Sequence, residues 1–373
     1  MTDAPIATSD VLVVGAGIVG LAHACAAISR GLSVTVIDRD AKAVGASVRN
    51  FGHCCVTAQS GELLEMAMVA REKWLEHSSS AGFFSTKAGA IAIARSAAEL
   101  AVLDEFSGSR EPGQVTLLGA RQARDYLGHG ASDDILGGAL LREDLRVDPR
   151  EATRSLARWL ARQPGVTFLW RTSYLGPENA GARTSRGRIR AERTILCVGH
   201  DLDYLFPELS ERAKIERCAL QMMRVDSPRS LVLGPAVLTG TSMLRYPAFA
   251  ETAAAEALRT ELTAERPELL EIGANVMFTQ RPNGTLIVGD SHRYAATMDP
   301  FQAEKVSRIL LAEIARILGT EELKVKERWQ GVYASSTKQA FLIEDPAPGV
   351  TAAIVTSGVG MTISFGLAEK TFG

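Results

Sequence analysis

Short apolar runs and one glycine-rich segment alternate over the first forty residues. Val11 to Val14 is apolar and β-branched, which predicts a buried strand. An alanine-rich stretch that reaches Arg30 predicts a helix, and Gly31 is placed to end it. A second β-branched run, Ser33 to Ile37, closes with Asp38. The pattern therefore predicts a strand, a helix and a second strand, which together form a βαβ unit.

A glycine motif stands at the turn between the first strand and the helix. Its residues are Gly15, Ala16, Gly17, Ile18, Val19 and Gly20. In this pattern the first glycine permits the tight turn, the second lets a pyrophosphate approach the backbone, and the third lets the helix pack closely. The helix N-terminus offers free N–H groups to phosphates, and Asp38 is placed to accept hydrogen bonds from ribose hydroxyls. The unit predicts dinucleotide binding; the alternative is an ordinary βαβ crossover with coincidental glycines.

Helices and strands are mixed along the rest of the chain. The pattern predicts helices at 61–80 and 149–162, a strand at 193–198 and a hairpin at 276–288. Near the C-terminus, an apolar run at 352–355 precedes a second glycine cluster at 357–361 and a helical stretch at 363–370. A helix N-terminus there would face a polar or anionic edge of a cofactor, and a plain strand-to-helix turn is the alternative.

Composition narrows the function classes. The 373 residues suggest about two domains. The net charge of −2 disfavours a nucleic-acid partner, and the 46% apolar content disfavours intrinsic disorder. Five cysteines without a C-x-x-C pattern predict neither a disulfide scaffold nor a metal site, so a reducing, cytoplasmic location is expected. The glycine spacing explains the apolar run 11–28 better than a transmembrane segment does, and oligomeric state is left open.

Several motifs resemble those of the D-amino-acid oxidase superfamily, in its glycine oxidase and sarcosine oxidase branch. They are the segment 11–40, GASVRNFG at 45–52, TILCVGH at 194–200, RPNGTLIVGD at 281–290, WQGVYAS at 329–335 and TSGVGMTISFG at 356–366. The resemblance implies an α/β fold in which an FAD-binding Rossmann-type domain joins an antiparallel-sheet substrate domain, as in glycine oxidase. The implied FAD domain is discontinuous, over 1–85, 146–215 and 330–373, and the substrate domain takes 86–145 and 216–329.

The resemblance also implies how FAD is held. The implied cofactor-binding residues are Gly15, Ala16, Gly17, Ile18, Val19, Gly20, Asp38, Arg39, Ala46, Ser47, Asn50, Gly199, Gly358, Val359, Gly360, Met361 and Thr362. Sarcosine oxidases of the family attach FAD through a cysteine in their C-terminal half, and this chain has no cysteine after Cys218. Dimethylglycine-type dehydrogenases use a histidine where this chain has Arg49. Non-covalent FAD is therefore expected.

The motifs RNFGH, GDSH and RWQGVYAS resemble a narrower clade that is associated with the oxidation of small aminophosphonates. The implied reaction is oxidative deamination of a small primary or N-methyl amine by hydride transfer to flavin N5. An aminophosphonate related to 2-aminoethylphosphonate is the first expected substrate, with phosphonoacetaldehyde as product and oxygen or another acceptor as oxidant. Related amino-acid oxidases can hold a substrate carboxylate with an arginine at the position of Tyr333, which disfavours a plain α-amino acid here.

A phosphonate tail needs several hydrogen-bond donors, and arginine forks match its oxygens. The candidate catalytic or substrate-binding residues are Arg49, His53, His292, Tyr333 and Lys338, with Arg245 and Arg293 as further candidates for the anion. A cofactor contact is the alternative role for Arg49, and a core position is the alternative for His53. For the whole chain, the alternatives are a glycine, sarcosine or D-amino-acid oxidase or dehydrogenase, a nicotinamide-dependent dehydrogenase, and a non-catalytic flavin-binding subunit.

Overall fold

The computed structural model describes residues 4–128 and 130–373. Its strands are β1 (Ala7–Val14), β2 (Val34–Asp38), β3 (His53–Cys54), β4 (Ser85–Thr86), β5 (Ala90–Ala94), β6 (Val115–Gly119), β7 (Gly137–Leu141), β8 (Leu145–Val147), β9 (Val166–Trp170), β10 (Tyr174–Glu178), β11 (Gly181–Thr184), β12 (Gly187–Leu196), β13 (Ile215–Val225), β14 (Ala236–Leu238), β15 (Met277–Gln280), β16 (Leu286–Gly289), β17 (Arg293–Ala295), β18 (Val325–Ser336), β19 (Phe341–Ala347) and β20 (Val350–Val355). Its α-helices are α1 (Ile18–Ser29), α2 (Gly61–Ala81), α3 (Ala97–Gly108), α4 (Ala120–Leu127), α5 (Pro149–Leu160), α6 (Leu202–Leu205), α7 (Pro207–Arg212), α8 (Gly240–Met243), α9 (Pro247–Ala250), α10 (Ala254–Glu265), α11 (Pro267–Glu271), α12 (Glu304–Ile317) and α13 (Gly360–Phe372). None of the helices in these ranges is both long and apolar enough to span a bilayer.

The first sheet is built around the predicted βαβ unit. β1 lies parallel to β2 on one side and to β12 on the other, while β9 and β20 continue the parallel arrangement outward. β10, β11 and β19 add antiparallel strands at its margins. Because five strands run parallel, their carboxyl ends meet along one edge, which is where open α/β sheets bind ligands.

A second, mostly antiparallel sheet has nine strands. Its order is β17-β13-β16-β15-β14-β5-β7-β6, and β18 pairs with β13. β15 and β16 form the predicted hairpin around Asn283-Gly284. β18 crosses residue 330, where the sequence predicts a domain boundary. The expected mixed α/β fold with an antiparallel sheet is confirmed, and β3, β8 and β4 form a short third sheet.

Four helices cover one face of the first sheet. α1, α2, α5 and α13 share one apolar core, in which Trp74 is fully buried and donates from Nε1 to the carbonyl of Met361 at 2.7 Å. α5 begins at Pro149, and the Asp148 side chain caps it by accepting hydrogen bonds from two backbone N–H groups, as predicted. Their packing holds in place the chain segments that lead to the edge of the first sheet, where the carboxyl ends of the parallel strands meet.

α13 approaches α2 so closely that only a glycine fits between their backbones. A Cβ atom built on Gly366 would lie 2.2 Å from the carbonyl oxygen of Met66. Because that oxygen belongs to the backbone of a helix, it cannot move aside without shifting α2. The packing of the C-terminal helix therefore depends on this one small residue.

We expect Gly366→Ala to lower the free energy of unfolding by about 1–3 kcal/mol, because the added methyl group overpacks the contact. Equilibrium chemical denaturation followed by tryptophan fluorescence measures the change. Gly108→Ala is the matched control, since Gly108 also lies in a helix and a Cβ there meets nothing within 4 Å. Equal stability of the two variants would contradict the predicted clash.

Candidate active site

A cavity of about 440 Å³ lies between the carboxyl ends of the first sheet and one face of the second. Strand ends line one side of it, at Val14, Asp38 and Val355. Residues of the second sheet, among them Leu220 and Tyr333, line the other side. The cavity therefore joins the predicted dinucleotide edge to the predicted substrate sheet.

The first glycine turn brings the backbone close to this cavity. Gly15 has a φ of +102°, and a Cβ there would lie 2.6 Å from the carbonyl oxygen of Cys197. A Cβ on Gly20 would lie 1.8 Å from the carbonyl oxygen of Gly15, so the helix and the turn pack without any side chain between them. Gly17, the N-cap residue of α1, has no side chain that could cap the helix. The turn therefore brings the N-terminus of α1 to the cavity, which suits a phosphate group.

Two polar side chains complete this end of the cavity. The Ser47 hydroxyl accepts a hydrogen bond from the Ile18 N–H at 2.8 Å, which ties the loop after β2 to α1. The Asp38 carboxylate accepts one from the Ala16 N–H and one from the Asp40 N–H, both at 2.8 Å. Burial raises the pKa of Asp38. Its carboxylate oxygens have further lone pairs for hydroxyl donors in the cavity, as ribose recognition requires.

The second glycine cluster faces the same cavity from the C-terminal side. Gly358 has a φ of +76°, and a Cβ there would lie 2.9 Å from the ring of Tyr333. α13 begins at Gly360, and the Thr362 hydroxyl in its first turn accepts a hydrogen bond from the Cys55 N–H at 3.0 Å. A second helix thus begins at the cavity, where its N-terminus offers partial positive charge.

Arg245, one of the further candidates for binding the anion, lies on the substrate side. Arg245 lies on the turn after α8 and lines the cavity. Its Nη2 donates to the Tyr333 hydroxyl at 2.7 Å, and its Nη1 donates to the hydroxyl of the half-exposed Tyr294 at 3.3 Å. Within the described residues, the Arg245 guanidinium forms no ion pair with a carboxylate. A cation that is partly removed from water in this way is complementary to an anionic ligand.

Asp290 is a buried carboxyl group on the same side of the cavity. Its side chain follows β16 directly, and the residue is 3% exposed. Its Oδ1 has no hydrogen-bond partner within the described residues. Burial raises the pKa of Asp290 to about 7, although the nearby Arg245 favours the ionised form.

His292 lines the cavity as a neutral imidazole. Its Nδ1 lies 2.9 Å from the carbonyl oxygen of Gly273, so Nδ1 carries the hydrogen and donates it. Burial, with a smaller contribution from Arg245, lowers the pKa of His292 well below its usual value. His292 therefore brings no positive charge to an anion, and its free Nε2 is a hydrogen-bond acceptor.

His53 forms a buried pair with Asp144. Its Nε2 lies 2.7 Å from Asp144 Oδ2, while Asp144 Oδ1 accepts hydrogen bonds from the Thr57 N–H and hydroxyl at 2.7 Å. The His53 Nδ1 is buried without a hydrogen-bond partner in the described chain. Cys55 brings a third potential metal ligand within 4.8 Å, but burial raises the pKa of its thiol well above the usual value, which disfavours the thiolate that a metal needs.

Most of the predicted site residues line this one cavity. They are Gly15, Gly17, Ile18, Val19, Asp38, Arg39, Ala46, Ser47, Arg49, Asn50, His53, Gly199, His292, Tyr333, Gly358, Val359, Gly360, Met361 and Thr362. Ala16 and Gly20 do not line it, because the first supports Asp38 through its N–H group and the second packs beneath Gly15. Arg39 pairs with Asp201 at 2.8 Å, and Arg49 donates to the carbonyl of Gln330 at 3.1 Å.

Two predicted residues lie away from the cavity. Lys338 follows the end of β18, where the chain turns outward, and its ammonium donates to the carbonyl of Arg212 at 2.7 Å. Arg293 is exposed on β17. Lys338 was expected to bind the substrate, but it does not line the cavity. Conversely, Asp290 is not among the predicted site residues, although it directly follows the strand β16.

Comparisons with known proteins agree with the geometry. Residues 10–372 match the profile of the family described as DAO, FAD dependent oxidoreductase. The fold resembles glycine oxidase from Bacillus cereus ATCC 14579, with a TM-score of 0.78, 18% identity, and coverage of 97% of this chain and 93% of that one. It also resembles L-proline dehydrogenase from P. horikoshii, with a TM-score of 0.78, 19% identity, and coverage of 99% and 93%.

One curated relative shares a short stretch of sequence. The chain is 34% identical over 92 residues to a D-amino acid dehydrogenase from Helicobacter pylori (strain J99 / ATCC 700824). That stretch spans 23% of this chain and 22% of the relative. Iminodiacetate oxidase from Chelativorans sp. BNC1 shares the fold at a TM-score of 0.75 and 19% identity, over 97% of this chain and 94% of that one.

We expect Asp144→Asn to remove the hydrogen that His53 Nε2 donates, so that the ring carries its hydrogen on Nδ1. The native carboxylate can only accept, so Nε2 must donate, whereas an amide can donate to Nε2. Nitrogen NMR of histidine-labelled protein reads the tautomer, and His53→Gln assigns the signal. The same tautomer in both proteins would contradict the role given to Asp144.

Proposed function

Since the chain belongs to the DAO family of FAD-dependent oxidoreductases, we propose that it oxidises a small amine that carries an anionic tail. The observation that carries this proposal is the Arg245 guanidinium, which lines the cavity without an ion-pair partner in the described residues. FAD supplies, when bound, the acceptor for a hydride from the carbon next to the amine nitrogen. The protein's task is then to bind and orient the substrate and to control its proton.

The two glycine turns are the proposed cradle for FAD. The N-terminus of α1, which faces the cavity, suits the pyrophosphate, and Asp38 suits a ribose. A side chain at Gly15 would fill the space near Cys197 that the close turn requires, so the cradle depends on its absence. We propose that FAD is held without a covalent bond. Burial raises the pKa of the Cys55 and Cys197 thiols that line the cavity, which makes both of them poor nucleophiles.

Arg245 and Tyr333 are the proposed partners of the anionic tail. Arg245 has donors beyond the two that it uses, and the Tyr333 hydroxyl, having accepted one hydrogen bond, keeps its own hydrogen to donate. An anion placed between them would compensate the guanidinium charge and gain charge-assisted hydrogen bonds. Tyr333 thus takes part in the binding of the tail even though it has no charge of its own.

A phosphonate is our first choice for the tail. Arg49, which also lines the cavity, contacts β18 through Gln330, three residues before Tyr333, and it too has no ion-pair partner in the described residues. Two guanidinium groups that have no carboxylate partner in the described residues lie near β18. Together they match a doubly charged phosphonate better than they match a singly charged carboxylate. The proposed substrate is an aminophosphonate related to 2-aminoethylphosphonate, oxidised to phosphonoacetaldehyde. If Arg49 instead contacts FAD, only the Arg245 guanidinium remains to bind the tail. An amine that carries a carboxylate, such as glycine or sarcosine, is then the second candidate.

An anaerobic absorbance experiment on the purified protein tests the proposal. We expect the flavin spectrum to bleach with 2-aminoethylphosphonate or its N-methyl derivative, and far more slowly with an alkylamine of the same length that lacks an anionic tail. Bleaching by glycine or sarcosine alone would replace the phosphonate with a carboxylate. A flavin that no anionic amine bleaches would overturn the proposed function.

We expect Arg245→Met to raise the substrate concentration for half-maximal flavin reduction by a factor on the order of 30 or more, because a charged partner of the tail is lost. Rapid-mixing kinetics under anaerobic conditions measures it. Arg245→Lys should restore only part of the affinity, since lysine keeps the charge but loses the fork.

The matched control for this prediction is Arg293→Met. It removes the same charge from an exposed residue that does not line the cavity, so the half-maximal concentration should stay at the native value. Equal effects of the two methionine variants would mean that Arg245 acts only through the overall charge of the protein, and would contradict its binding role.

A further inference from the structure

We infer that Asp290 receives the ammonium proton of the substrate, so that the amine is neutral when its C–H bond breaks. The inference rests on the proposed function, since it requires an amine in this cavity. It adds a proton acceptor to a site in which Asp38 is assigned to FAD and Arg245 and Tyr333 are assigned to the anionic tail. Its first support is geometric: Asp290 lines the cavity, and its Oδ1 lacks a hydrogen-bond partner within the described chain.

The backbone holds Asp290 firmly in this position. Its N–H donates to the carbonyl of Asn275 at 3.0 Å, and the Asn275 N–H donates back to the carbonyl of Asp290 at 2.8 Å. The buried Asn275 side chain is in turn held by the Ser242 hydroxyl, which donates to its Oδ1 at 2.7 Å. An unpartnered carboxylate oxygen on such a rigid support is ready to accept a hydrogen bond from a ligand, and an ammonium group is the donor that best matches its charge.

The groups around Asp290 leave it as the available base. His292 Nδ1 lies 3.9 Å from Asp290 Oδ1 and donates instead to the carbonyl of Gly273, and burial lowers the pKa of His292 well below its usual value. Burial raises the pKa of Tyr246 well above its usual value and that of Cys218 to about 11, so both stay protonated near neutral pH. Arg245 is the cation that favours the ionised form of Asp290. Of these neighbours, none competes with Asp290 for the proton of an ammonium group near pH 7.

The proton balance of the step is simple. An N–H bond of the ammonium group breaks, the proton moves to Asp290 Oδ1, and the nitrogen keeps the electron pair. That pair enters the forming C=N bond as the adjacent carbon loses its hydride. Only ionised Asp290 can accept the proton, and burial raises the pKa of Asp290 to about 7. The rate of flavin reduction should therefore rise as the pH increases through about 7 and level off above it.

The test compares the pH profile of flavin reduction in the native protein and in Asp290→Asn. Asparagine keeps the shape of a protonated aspartic acid, so the fold should tolerate it. Without the base, the reaction depends on amine that is already neutral, and an amine with a pKa near 10 is neutral to about one part in a thousand at pH 7. We expect the variant to be on the order of 100- to 1,000-fold slower at pH 7. At about pH 10 it should approach the native rate.

The matched control is Asp299→Asn, which makes the same change at an exposed carboxylate outside the cavity and should keep the native profile. Ethylphosphonate and propionate, which have no amine, provide a readout without turnover. Their perturbation of the flavin spectrum should be the same in native protein and in Asp290→Asn, which would establish that the variant retains its fold and its anion site.

Two results would overturn the inference. An Asp290→Asn variant that is slowed equally at every pH would make Asp290 a positioning residue, and one with the native profile would give it no role in the reaction. A native protein whose flavin no anionic amine reduces is a different outcome, since it rejects the proposed function itself. Only the inferred role predicts an Asp290→Asn variant that is slow at pH 7 and recovers the native rate at about pH 10.

Discussion

The hydrogen-bonded ladder between β13 and β18 is the constraint on which the site depends. In this ladder Tyr333 pairs with Cys218 and Gly331 pairs with Leu220, and both residues of β18 lie on the same face of the strand and line the cavity. Just beyond them, Ser335 forms a bridge with Ser357, beside the second glycine cluster. Because a slip of one residue would turn Tyr333 to the opposite face, this pairing holds the Tyr333 hydroxyl, the proposed partner of the anion, in a fixed position relative to the proposed cofactor cradle.

The electrostatics of the cavity depend on two charged groups, Arg245 and Asp290, that form no ion pair within the described residues. Many arginines elsewhere in the protein pair with carboxylates, as Arg217 does with Asp203 at 2.6 Å, whereas Arg245 donates to two tyrosine hydroxyls. Asp290 is buried close enough to feel the guanidinium charge, but its Oδ1 accepts no hydrogen bond within the described residues. A positive and a negative group therefore face one space without neutralising each other in an ion pair.

The sequence predicts the parts of this arrangement that local pattern determines. The βαβ unit, the capped helix α5 and the β15–β16 hairpin each depend on residues that are neighbours in the chain, so periodicity and turn chemistry suffice. The glycine turns belong to the same class, because Gly15 and Gly358 adopt the positive φ values that glycine favours.

On the substrate side the sequence names Arg245 and Tyr333 as candidates, but it does not predict that they lie together with Asp290. Arg245, Asp290 and Tyr333 come from three separate elements, and only the order of strands in the second sheet brings them together. Lys338 shows the reverse: it lies five residues after Tyr333, but β18 ends at Ser336 and the chain then turns toward Arg212. A residue that is close to a site residue in sequence need not lie close to the site once the strand that carries the site residue has ended.

Under the proposed function, the opposite charges of Arg245 and ionised Asp290 would also determine which amines can be substrates. An amine without an anionic tail would displace water from Arg245 and offer it no compensating charge, so the desolvation cost would oppose binding. An anion without an amine would satisfy Arg245 but leave Asp290 Oδ1 without a donor. Only a molecule that carries both groups, separated by about the distance between Arg245 and Asp290, satisfies both. In the proposed function, selectivity for a small zwitterion would thus follow from two charged groups that form no ion pair with each other.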